Sequence, residues 1–137
     1  MKSICPTRFL RYALIADALI CTAIVMLQLN LQDLLVRQLQ LPYVLLKGSG
    51  VFLIAYVALL IVLAGSKAVW KAMIGLVVIG NVGWAVGCVA LATLAAPSGL
   101  SVAYLLAQAV SVLVIARFQW VGLSGSAVAA TPRLTVA

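Results

Sequence analysis

Val69–Ala95 reads VWKAMIGLVVIGNVGWAVGCVALATLA, with Lys71 as its single charge. Spanning a hydrocarbon core of about 30 Å takes about 20 apolar residues at about 1.5 Å each, and this run is long enough. Phe9–Leu29, Pro42–Gly65 and Leu100–Val121 meet the same requirement. Where no water reaches the backbone, a helix is the conformation that satisfies its own amides and carbonyls, so four transmembrane helices are predicted. The alternating pattern of a membrane β-barrel strand is absent from these runs. Composition agrees: 66% of the 137 residues are apolar and 8% are charged, against about 25% charged in an ordinary soluble domain.

The first span follows Lys2, Arg8 and Arg11, as a signal peptide would. Its apolar run continues to Leu29, however, and gives way to Asn30-Leu31-Gln32-Asp33 rather than to a small-residue cleavage site. It therefore reads as an uncleaved first helix. The net charge of +7 would suggest nucleic acid in a soluble chain, but the positions of the charges point elsewhere, and no nucleic-acid partner is expected. If the helices alternate, seven of the nine basic residues (Lys2, Arg8, Arg11, Lys67, Lys71, Arg117, Arg133) fall on one side and Arg37 and Lys47 on the other. By the positive-inside rule both termini are cytoplasmic, with the basic side also drawn to anionic headgroups of membrane lipids.

Short turns at Gly65-Ser66-Lys67 and Ala96-Pro97-Ser98-Gly99 predict antiparallel neighbours and an all-α, up-down four-helix bundle. This transmembrane domain covers residues 1–123, and the Ser, Gly, Ala and Thr-rich stretch 124–137 reads as a disordered cytoplasmic tail. Between the first two spans, Leu31, Leu34, Leu35 and Leu39 recur at helical spacing, with Asp33 and Arg37 four apart. A short amphipathic helix on the outer surface fits this pattern, as does a partly helical loop. Trp70, Trp120, Tyr12 and Tyr43 fall near span ends, where aromatic anchors collect.

The chain has no histidine, and Cys5, Cys21 and Cys88 show no CxxC spacing. No metal site, cofactor, disulfide framework or catalytic constellation is indicated. The chemistry lies instead in polar residues within the spans. Asp17, about 12 Å into the first helix, must face protein or water, because a carboxylate in hydrocarbon is costly. It shares a stripe with Cys21 and Gln28. The third helix offers Asn81, Trp84 and Cys88 on one face, and the fourth offers Tyr104, Gln108 and Ser111. A hydrogen-bonded strip through the bundle is expected. Lys71 is the favoured charge partner for Asp17 if it has one, because Arg117 lies half a turn from Gln108 and should face outward. Gly80, Gly83 and Gly87, with Ala103 and Ala107, form small-residue faces expected to pack the third helix on the fourth, or one protomer on another.

Arg11 with Asp17, Leu41-Pro42 with Gly48 or Gly50, Asn81-x-x-Trp84, and Ala107-Gln108 with Gln119-x-x-Gly122 together resemble a family of small, mostly uncharacterised four-helix bacterial membrane proteins. The resemblance implies a bacterial inner membrane and a four-helix topology, and carries no activity. The chain is also similar to small multidrug resistance transporters, four-helix chains with one acidic residue in the first helix. That likeness implies proton coupling through Asp17, although those proteins have Glu there and a weaker charge bias. The sequence thus predicts a non-enzymatic membrane protein, either an accessory subunit of a larger complex or a homo-oligomeric bundle. The alternative is a small transporter or a lipid- or small-molecule-binding protein that uses Asp17 and the polar strip.

Overall fold

The computed structural model describes residues 3–95 and 98–128. Four helices are long and apolar enough to cross a membrane: α1 (Arg8–Asn30), α3 (Tyr43–Gly65), α4 (Lys71–Leu94) and α5 (Gly99–Ser124). Their starts follow from local chemistry. The Thr7 hydroxyl accepts from the Leu10 amide to cap α1. Ser98 and Ser101 form a reciprocal capping box on α5, and Pro42 precedes α3, where a missing N–H costs least. The short helix α2 (Gln32–Leu39) lies between α1 and α3, so the amphipathic segment between the first two spans is helical. Gln40 ends it in the left-handed conformation, at φ 54°, and the chain turns from there into Leu41-Pro42.

The helix backbones pack in the order α3–α1–α5–α4. Although α3 and α4 are joined by a short turn, they meet through side chains rather than by close backbone approach, so the ring is open between them. At the end carrying the termini it is closed by a core that includes Ile4, Leu10, Leu14, Leu60, Ile74, Val77 and Leu123. Toward the opposite end this core divides. Ala85, Cys88, Leu105, Ala109 and Val112 join α4 to α5, while Cys21, Val25 and Leu53 join α1 to α3. Leu39, Leu41 and Leu46 form a further cluster with Leu35, Val36 and Tyr104, which seats α2 across that end.

Two features depart from the sequence reading. Val69–Trp70, expected within the third span, is a short strand, and α4 begins at Lys71. The strand Val69–Trp70 (β2) pairs with Ser3–Cys5 (β1), which pairs on its other edge with Ala127–Val128 (β3), giving a three-stranded antiparallel sheet in the order β2-β1-β3. Thus α5 runs to Ser124, beyond the expected end at Val121, and the chain directly after it is tied down: Thr7 N–H donates to Ser126 Oγ at 3.3 Å, and Ser126 Oγ donates to the Gly122 carbonyl at 2.8 Å. The rest of the stretch expected to be disordered, 129–137, lies outside the described residues. Strands of two or three residues carry no periodicity from which they could be read.

Candidate functional site

A carboxylate this deep in an apolar bundle needs donors, and the bundle supplies four. Asp17 is 1% exposed. Its Oδ2 accepts from Gln119 Nε2 at 2.7 Å, Asn81 Nδ2 at 2.9 Å and Tyr56 Oη at 3.2 Å. Its Oδ1 accepts from Cys21 Sγ at 3.5 Å. Asn81 Nδ2 also donates to Gln119 Oε1 at 3.1 Å, and Tyr56 Oη lies 3.0 Å from Asn81 Oδ1. One residue from each long helix meets here, so the cluster fixes all four relative to one another. All these partners are neutral. Lys71, expected as the charge partner, is instead exposed at the first turn of α4. Arg117 is exposed, as its position half a turn from Gln108 requires.

Tyr56 and Gln119 were missing from the predicted site. Gln119 follows Gln108 by three helical turns and so lies on the same face, a spacing that identifies it. Tyr56 sits at mid-span, away from the interfaces where tyrosines usually anchor, and that position is itself a sign of a buried hydrogen bond.

The expected continuous strip is divided in two. Gln28 Nε2 donates to Tyr104 Oη at 3.1 Å, Ser49 Oγ donates to Gln28 Oε1 at 3.3 Å, and Trp84 Nε1 donates to Gln108 Oε1 at 3.3 Å. Between this group and the Asp17 cluster lies a chamber of about 50 Å³, bordered by Cys21, Tyr56, Asn81, Trp84 and Gln108. Its wall is mostly apolar, with Ile24, Phe52, Leu53 and Val112 beside these polar groups. Ser111 belongs to neither group, since its hydroxyl is bound to the Ala107 carbonyl of its own helix.

The small-residue faces also differ from expectation. A Cβ at Gly80, Gly83 or Gly87 would meet nothing within 4 Å, and these glycines, Ala103 and Ala107 are exposed. Helices α4 and α5 do pack closely, but over Ala85, Cys88, Leu105 and Ala109. Gly83 and Gly87 instead line a cleft of about 780 Å³ between α3 and α4. Val44, Leu45, Gly48 and Phe52 form its α3 wall, and Gln28, Trp84, Tyr104 and Gln108 contribute polar groups to its lining. Phe52 stacks on Trp84 with ring centroids 6.2 Å apart and planes 7° from parallel.

Among the described residues, no cluster of three His, Cys, Asp or Glu side chains is placed to hold a metal ion. Four spanning helices, a hydrogen-bonded centre and an apolar lateral cleft define a multi-pass membrane protein. Comparison of the chain with protein-family models, curated proteins and solved structures finds no match to any of the three.

Proposed function

We propose that this is a non-enzymatic membrane protein that takes a lipid-like apolar molecule from the bilayer into the cleft between α3 and α4. The cleft itself carries this reading. Its volume lies in the range of small-molecule sites, about 300–1,000 Å³, and its walls are apolar with a few polar groups. Its mouth is formed by exposed α3 and α4 residues that would face lipid. In a bacterial inner membrane with cytoplasmic termini, as the charge distribution indicates, the cleft opens into the outer half of the bilayer. The Asp17 acceptors are taken up by the chain's own donors, which supports a structural role for that residue over direct substrate contact.

The test is to fill the cleft. A side chain at Gly87 enters open space, so Gly87→Leu should leave the fold intact while occupying the volume. Native mass spectrometry of protein extracted in mild detergent should show a bound apolar molecule on the wild type and loss of most of it from the variant. Equal retention by both would refute the reading. A second reading, a self-associating bundle or an accessory subunit, is favoured by the exposure of Gly80, Gly83 and Gly87. It requires that Gly83→Leu abolish crosslinking to a second copy or to another membrane protein in native membranes.

A further inference from the structure

The hydrogen bonds along the cleft leave two groups of donors unused. Trp84 Nε1 is a donor only, so its bond to Gln108 Oε1 fixes the amide orientation and turns the Gln108 NH₂ the other way. One hydrogen of that nitrogen is directed at the Tyr104 hydroxyl, while the second has no acceptor among the described residues and borders both the cleft and the inner chamber. Tyr104 Oη accepts from Gln28, and its own proton has no acceptor among the described residues. An apolar cleft that offers N–H and O–H donors without acceptors calls for a ligand oxygen.

Two further observations narrow the class. The cleft lining holds no charged side chain, so nothing there balances a phosphate, carboxylate or ammonium group. Depth separates what remains. From Gly99 to Gln108 is about 14 Å along the axis, and from Leu94 back to Trp84 about 15 Å, each near half of a 30 Å core. Phospholipid ester carbonyls stay at the headgroup boundary, tethered there by their charged heads. An acceptor oxygen at mid-depth must belong to a molecule with no charged head. The parallel Phe52–Trp84 stack, in which Phe52 is exposed and Trp84 half-buried, adds a flat aromatic surface beside that point, suited to a planar ring.

Building on the cleft reading, we infer that the occupant is an uncharged, carbonyl-bearing molecule of the bilayer interior, of the isoprenoid-quinone class, with a ring carbonyl accepting from Gln108 and its chain running toward the α3–α4 opening. The volume of about 780 Å³ has room for a substituted ring and the first isoprene units. Gln108 is the specificity group, and Tyr104 supplies the second donor.

The experiment uses the full chain in lipid nanodiscs with Trp70→Phe and Trp120→Phe, so that Trp84 is the only one of the three tryptophans left. Decylubiquinone is titrated while Trp84 fluorescence is followed. Saturable quenching is expected, weakened about fivefold by Gln108→Leu, the effect of losing one neutral hydrogen bond. Infrared spectra of the bound quinone should show a carbonyl band at lower frequency than in empty nanodiscs, with the shift lost in Gln108→Leu and in the isosteric Gln108→Met. Saturable quenching with an unchanged constant and an unshifted carbonyl band in the wild type would overturn the inference. Equal competition by decylbenzene, which has no carbonyl, would also overturn it while leaving the lipid-cleft reading standing. Quenching that is linear in quinone, or unaffected by Gly87→Leu, would defeat both.

Discussion

Asp17 Oδ2 takes three hydrogen bonds from three different helices, so its removal strands donors rather than deleting one contact. A buried donor left without a partner costs about 1–3 kcal/mol, but a membrane chain also finds alternative partners when unfolded. Asp17→Leu should therefore destabilise the bundle by about 2 kcal/mol, measured by unfolding in mixed detergent and SDS micelles. Asp17→Asn keeps one acceptor oxygen for Gln119, Asn81 and Tyr56 and turns its amide toward Cys21, so its cost should stay below about 1 kcal/mol. Equal stability of the Leu and Asn variants would remove the case for a structural lock. Asp17 is legible in the sequence because a lone carboxylate in an apolar run must be satisfied by protein or water. Tyr56 and Gln119 are harder to read, because tyrosine is common in membrane proteins as an interface anchor and glutamine carries no charge to mark it. Helical spacing from Gln108 and a mid-span position mark them as inward-facing, but their pairing with the carboxylate is made across four helices far apart in sequence.

At the scale of the elements, length and apolarity are sufficient to place all four spans, and their ends agree to within a few residues because caps such as Thr7 and Ser98 sit at the composition changes. Which helix faces touch is less legible. The Gly83-x-x-x-Gly87 pattern suggests close helix packing, yet both glycines face the cleft with open space beside them. The glycine that packing does require is Gly122, where an added Cβ would lie 2.9 Å from Leu10 Cα. This close crossing of α1 and α5 helps bring Gln119 within reach of Asp17. Small residues permit close approach without specifying it, and the partner helix decides which glycine is used. Gly122→Ala should accordingly cost about 1–3 kcal/mol through overpacking. Gly83→Ala should be neutral, or stabilising by up to about 1 kcal/mol through helix propensity. Unfolding of both variants in mixed micelles checks the contrast, and a Gly83→Ala loss equal to that of Gly122→Ala would mean that the exposed face is covered in the membrane.

For the whole molecule, the asymmetry of charge runs parallel to an asymmetry of packing. The end with Arg8, Arg11 and Lys67 is the closed one, held by the small sheet, by Arg11 Nη2 donating to the Ser66 carbonyl at 3.0 Å, and by the Ile4–Leu10–Ile74 core. The opposite end is splayed beneath α2, and Lys47 there turns its ammonium to 5.6 Å from the Tyr43 ring, toward the start of α3. If the positive-inside rule orients the chain, the closed end faces the cytoplasm and the cleft draws on the outer leaflet. The native cysteines provide the test, because Cys5 is exposed at the closed end while Cys21 and Cys88 are buried within spans. A membrane-impermeant maleimide should leave Cys5 unlabelled in intact cells and label it in inverted membrane vesicles. Gln38→Cys, at an exposed position of α2, should show the opposite pattern on a Cys5→Ser background. Labelling of Cys5 from both sides would indicate that the chain inserts in two orientations. The cleft would then sample both leaflets, and the seven-to-two distribution of basic residues would have to act through lipid headgroups alone.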